Sequence, residues 1–152
     1  MDLHAKLRAL NLELPAAPKP VASYVPAVRT GDLVFISGQL PFKDGKLLAT
    51  GPVPTVSVED AKLAAQQCIL NALAVLGDQI EGDWSRLVRI VRIGAFVASA
   101  NDFTGQPMVA NGASELLGAL FGEAGKHARA AVGVNVLPLG ATVEIEMLVQ
   151  VR

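Results

Sequence analysis

Ahead of its terminal Arg152, the apolar closing stretch HARAAVGVNVLPLGATVEIEMLVQVR carries a cation at its head, Arg129, and two carboxylates in its last apolar run, Glu144 and Glu146. A guanidinium withdrawn from water holds a carboxylate in two parallel hydrogen bonds. A carboxylate nearby can accept a proton from water. Together these types suit the binding of a small acid and the delivery of water to it. Strand side chains alternate between faces. Thr142, Glu144, Glu146, Leu148 and Gln150 therefore share one face of 142–151, with Val143, Ile145, Met147, Val149 and Val151 on the other. Arg129, Ala131, Gly133 and Asn135 likewise share a face of 129–137. Pro138-Leu139-Gly140 reads as a hairpin turn, which pairs the two strands and sets Asn135 against Glu144, Gly133 against Glu146 and Arg129 against Gln150, all on one face. In that register Arg129 and Glu144 are roughly 20 Å apart at about 3.3 Å per residue, too far to serve one small substrate. Either the sheet bends sharply, or the two groups meet across a subunit boundary. The simpler alternative is a face that is merely wet, as half-solvated sheets are.

The other reactive residue types carry less. His127, two residues before Arg129, suggests acid–base work, but a loop histidine without an identified partner is left off the catalytic set. His4 lies in the N-terminal tail, and neither histidine has a second ligand at metal spacing, so no metal is expected. Cys68 is the sole cysteine, which excludes an internal disulfide; it falls on an apolar helix face and reads as core. Glu144 and Glu146 lack the surroundings of a paired-carboxylate glycosidase site.

The elements that must position these groups follow from periodicity. Leu3, Leu7 and Leu10 predict a short amphipathic helix that stops before Pro15. Residues 15–26 read as a Pro/Ala connector lying extended across the domain. Residues 31–41 form a strand broken by Gly38, and the KDGK sequence that follows signals a turn. Ser57-Val-Glu-Asp60 resembles a capping box with Asp for the usual Glu. It opens a helix with Ala61, Ala64, Ala65, Cys68, Ala72, Val75 and Leu76 on one face, ending near Gly77. Residues 86–99 form a Val/Ile-rich strand, a second helix runs roughly from Pro107 to Phe121, and GEAGKHA reads as a loop. The fold class is α+β: one domain over 1–152, with a 1–20 N-terminal extension and two main helices on one face of a mixed β-sheet.

Composition narrows the function. Of 152 residues, 51% are hydrophobic and only 18% charged, rich for a chain whose size leaves much of it at the surface. The excess is most simply hidden against another copy. A net charge of −1 and few aromatics disfavour nucleic acid as a partner. No apolar run approaches a membrane span and no signal-peptide core is present; a cytoplasmic protein is expected.

Several separated pieces are similar to the YjgF/RidA family of reactive intermediate deaminases. YVPAVRTGDLVFISGQLP (24–41) resembles its opening motif, and Asn101-Asp102-Phe103 its Asn-Asp-Phe. Asn111 followed by Glu115 fits its second helix, and RAAVGVNVLP with VEIE its ending. The resemblance covers about residues 20–152. It implies a chorismate-mutase-like fold assembled as a homotrimer, with pockets between subunits and no cofactor. It also implies hydrolysis of enamine/imine intermediates to 2-oxo acids and ammonia. Carried over by position, Arg129 is the substrate-carboxylate anchor and Glu144 the acid linked to water. Tyr24, Ser37 and Gly38 form the pocket wall, and Asn111 is contributed at the interface. The chain departs from the family at His127, where Pro is usual, at Ala130-Ala131, where Ser-Cys is usual, and at Gly133, where Glu is usual. These departures point either to a divergent branch with a different substrate or to one whose deaminase activity has faded. The alternative is a non-catalytic binding trimer for small 2-oxo acids or related carboxylates. A ribonuclease or translation-inhibitor role, labels often attached to the family, is disfavoured by the same charge balance.

Overall fold

Asp2 opens the first helix, its carboxylate accepting from the Ala5 amide at 2.9 Å. The computed structural model describes residues 2–17 and 23–152; the middle of the expected 15–26 connector lies outside the described residues. Helix α1 (Leu3–Ala9) turns Leu3 and Leu7 into the core, and the Lys6 ammonium donates to the Leu120 carbonyl on the last helix. Leu10, the third leucine of the pattern, stays exposed as the C-cap. Burying a leucine contributes about 2–5 kcal/mol against its replacement by alanine. That is enough to free so short a helix by itself. In Leu7→Ala, amide exchange across Leu3–Ala9 is expected to approach unprotected rates while the sheet stays protected. Loss of protection throughout the sheet would instead make α1 part of the global folding unit.

Helix α2 (Val58–Gln79) begins as its sequence indicates. Ser57 Oγ accepts from the Asp60 amide at 3.0 Å and donates to its carboxylate at 2.8 Å, and Glu59 and Asp60 meet the positive end of the helix dipole. The helix passes through Gly77, against the Trp84 ring, and ends beyond the expected point. Helix α3 (Gln106–Phe121) starts with Pro107 in its first turn, where a missing N–H costs nothing. The two helices touch at Gly112, where a Cβ would strike the Lys62 carbonyl. GEAG (122–125), expected as loop, is a single 3₁₀ turn.

Five strands make one mixed sheet: β1 (Ala27–Thr30), β2 (Leu33–Gln39), β5 (Leu87–Ala98), β6 (Ala128–Val134) and β7 (Val143–Val151), in the order β1-β2-β7-β5-β6. Strands β3 (Phe42–Lys43) and β4 (Lys46–Leu47) form a small separate hairpin. Its turn residues Asp44 and Gly45 have φ of 51° and 76°, as the KDGK signal requires.

The expected terminal hairpin is not formed. Pro138–Gly140 does turn the chain, with Leu139 and Gly140 in the left-handed region. The strands on either side of it are separated by β5, which pairs parallel with β6 and antiparallel with β7. The reason is long-range. The β5–α3–β6 crossover returns the chain parallel to β5, leaving the other side of β5 for β7. Leu137, Ala141 and Ala98 pack together at the crossing.

Val34, Ile36, Ile93, Ala95, Val97, Val143, Ile145, Met147 and Val149 face the helices in the core, with Cys68 among them. The opposite sheet face has no helix over it. Val28, Phe35, Leu148, Arg92 and Ala128 fall in one cross-sheet row there, and Val28 and Phe35 are 54% and 48% exposed. Among the described residues no helix is long and apolar enough to cross a membrane.

Candidate functional site

Arg129 lies on the outermost strand. Its Cα pairs with that of Ile93, a core residue, so its side chain leaves the sheet on the helix side. There Nη1 donates to Asn111 Oδ1 at 2.9 Å and to Ser114 Oγ at 3.0 Å. These acceptors stand one helical turn apart on α3 and hold the guanidinium from one edge, although the residue remains exposed. Ala131 and Gly133 continue the same face of β6. At Gly133 a Cβ would lie 2.7 Å from both the Gln106 amide nitrogen and the Ser99 hydroxyl, so a side chain there displaces that pair. His127 is held below its ordinary range by burial and by the Arg129 charge, which outweigh the raising effect of its contact with the Ala128 carbonyl.

Glu144 lies on the other face. It pairs with Phe96, whose side chain points away from the helices toward Leu137 and Val134. Beside it the β2 register slips between Ile36 and Gln39, so Ser37 and Gly38 form a bulge. A Cβ at Gly38 would overlap Glu144 Oε1, so the missing side chain is the seat of that carboxylate. The Ser37 hydroxyl donates to the Val25 carbonyl at 2.8 Å, and its amide donates to the Pro26 carbonyl at 3.0 Å. Both bonds tie down the lead-in that carries Tyr24, itself 44% exposed. Burial first, and then the Glu146 charge, push the Glu144 carboxyl above its ordinary range. Beneath it the fully buried Cys68 thiol is pushed well up, by burial and then by Glu144.

The expected site residues therefore form two groups. Arg129 and Asn111 stand on the helix side of β6, while Glu144, Ser37 and Gly38 stand on the helix-free side of β2 and β7. The expectation that Arg129 and Glu144 share a face is overturned, because inserting β5 between β6 and β7 reverses which way Arg129 points. Nor do Asn135 and Gly133 stand against Glu144 and Glu146; their places are taken by Phe96 and Gly94. Ser114 was missed. Its spacing of three from Asn111 puts both on one helix face, a signal present in the sequence. Arg92, bonded to Glu146 at 3.1 Å, was missed because its partner strand was misassigned. Two grooves, of about 770 and 390 Å³, lie elsewhere. The larger runs between residues 11–16, the β3–β4 hairpin and α2; the smaller lies between α2 and α3. Among the described residues no group of three or more His, Cys, Asp or Glu could hold a metal ion.

Residues 14–151 match the family model described as endoribonuclease L-PSP. The chain is 42% identical to Protein TCP17 of Trypanosoma cruzi over 97% of its length and 93% of that protein's. It is 31% identical to a 2-iminobutanoate/2-iminopropanoate deaminase of Dermatophagoides farinae, covering 93% of this chain and 95% of that one. Among solved structures, a protein of unknown function from Agrobacterium tumefaciens superposes with a TM-score of 0.93 at 42% identity, over 99% of this chain and 92% of its own. That match takes in the N-terminal helix as well as the sheet. With a family model spanning nearly all of it and relatives covering it end to end, the chain belongs to the endoribonuclease L-PSP family, also called YjgF/RidA.

Proposed function

We propose that the protein hydrolyses small 2-imino acids and their enamine tautomers to 2-oxo acids and ammonia, in pockets completed between the subunits of a homotrimer. One observation carries this reading: the anchor and the acid sit on opposite faces of one chain, each with half a site. Copies arranged in a ring can bring the Arg129 side of one to the Glu144 side of the next, repeating the same junction at every boundary. The helix-free sheet face, with Val28 and Phe35 exposed and Leu148 half-buried beside them, supplies the apolar surface for that contact.

In the joined pocket the Arg129 fork holds the substrate carboxylate, steadied by Asn111 and Ser114. Water, oriented by Glu144, adds to the C=N carbon as its proton passes to the carboxylate. The nitrogen takes up protons, the C–N bond breaks, and ammonia leaves as the carbonyl forms. A carboxyl raised above its usual range is better suited both to accept that proton and to return it. Tyr24, Ser37 and Gly38 wall the pocket.

The test generates the imine in place with an amino-acid oxidase and follows its decay. Glu144→Gln is nearly isosteric and is expected to slow enzymatic decay about 100-fold or more while leaving pyruvate binding largely intact. Light scattering at micromolar concentration is expected to report three chains per particle. Wild type that binds 2-oxo acids but leaves every imine decaying at the buffer rate would be a binding trimer, not a hydrolase.

A further inference from the structure

The geometry points to Glu146 and Arg92 as positioning residues for Glu144: Arg92 ties Glu146 down over Gly94, so that one fixed carboxylate stands beside the acid that handles the proton. The inference rests on the hydrolase reading for the use of Glu144, but the arrangement is visible without it. Glu144 and Glu146 are neighbours on one face of β7, each lying over a glycine of the adjacent strand. At Gly94 a Cβ would fall 2.7 Å from Glu146 Oε1, as one at Gly38 would meet Glu144. Arg92 reaches back along β5 and grips the same Oε1 through Nη1 at 3.1 Å. Neither partner is deeply buried, so the bond orients more than it stabilises.

The charges around Glu144 are few. Its own strand offers Glu146. Strand β5 offers Phe96 directly opposite, then Gly94, then Arg92. Strand β2 offers only Ser37 and Gly38, uncharged, and α2 offers the neutral Cys68 thiol. Arg89 lies farther along β5 and donates to the Lys126 carbonyl at 3.0 Å. Glu146 is the neighbouring charge that raises Glu144, and Arg92 bears on Glu144 through its bond to Glu146. Glu146 disfavours a second ionised carboxylate beside it, which helps Glu144 keep a proton for the leaving ammonia. Arg92 limits that effect, so that Glu144 still ionises to receive a proton from water.

The experiment is a pH titration of ¹³C-labelled glutamate carboxyls by NMR, with Glu144→Gln identifying the Glu144 signal. Glu146→Gln is expected to lower the Glu144 midpoint and Arg92→Gln to raise it, while Arg92→Lys keeps it near wild type. The acid limb of imine hydrolysis is expected to move with it. A purely structural pair would not produce opposite shifts, so midpoints that stay put or move together overturn the proposal. If Arg92→Gln does not fold, Glu146→Gln decides alone, and an unlowered midpoint is fatal. Opposite shifts in a protein that hydrolyses no imine leave the pair standing and sink the hydrolase reading. Imine hydrolysis with unmoved midpoints does the reverse.

Discussion

Arg129→Ala is expected to lose more than 100-fold in affinity for pyruvate and other 2-oxo acids, and Arg129→Lys about 10-fold or more, with both variants folded and assembled as the wild type is. Charge-assisted hydrogen bonds contribute about 1.5–3 kcal/mol each, and every 1.4 kcal/mol is tenfold. Two such bonds lost with alanine therefore exceed 100-fold, while lysine keeps a point charge but not the fork. The side chain is exposed and bonds only to Asn111 and Ser114 among the described residues, so removing it opens no cavity in the core. Calorimetric titration of the three proteins decides the matter. Equal affinities would reduce Arg129 to a strut between β6 and α3, and the hydrolase and binding-trimer readings would fall together.

The second large effect is on stability. Gly112→Val places methyl groups where the Lys62 backbone already is. Neither helix can yield without moving whole, so the loss is expected to be about 3 kcal/mol, a fall in Tm of roughly 10 °C for a domain of this size. Asn111 and Ser114 flank the glycine, so a displaced α3 also withdraws the partners of Arg129. Thermal unfolding and pyruvate affinity are expected to worsen together. An unchanged Tm would mean that the α2–α3 contact is looser than its geometry indicates.

Local features were legible wherever chemistry and structure are close in sequence. The Ser57 cap, the leucine spacing of α1, the KDGK turn and the alternation along β7 each depend on a few consecutive residues, and each is found where expected. Strand order depends on what lies between. The Pro138–Gly140 turn announces a reversal but cannot say whether the next strand falls beside the previous one or beyond another. The hint was in β5, where Ile93, Gly94, Ala95, Val97 and Ala98 are nearly continuously apolar. That pattern belongs to a strand with neighbours on both sides rather than to an edge. The contacts among the candidate residues were less legible: Gly38 lies against Glu144 and Arg129 bonds Asn111 within one chain, but the face of Arg129 followed the mistaken pairing.

The central position of β7 has a consequence for how the chain acquires its structure. Strand β2 finds its partner more than a hundred residues later, Leu33 with Gln150, and β5 likewise waits for β7. On a ribosome adding about 5–20 residues per second, the β1–β2 hairpin and the helices emerge seconds before the strand that joins the two halves of the sheet. The edge of β2 that β7 occupies stays unpaired throughout that interval. So many distant pairings place refolding toward the millisecond-to-second range, and a nascent chain stalled before Val143 would present an unfilled gap between β2 and β5, two apolar strands open to one another and to any neighbouring chain.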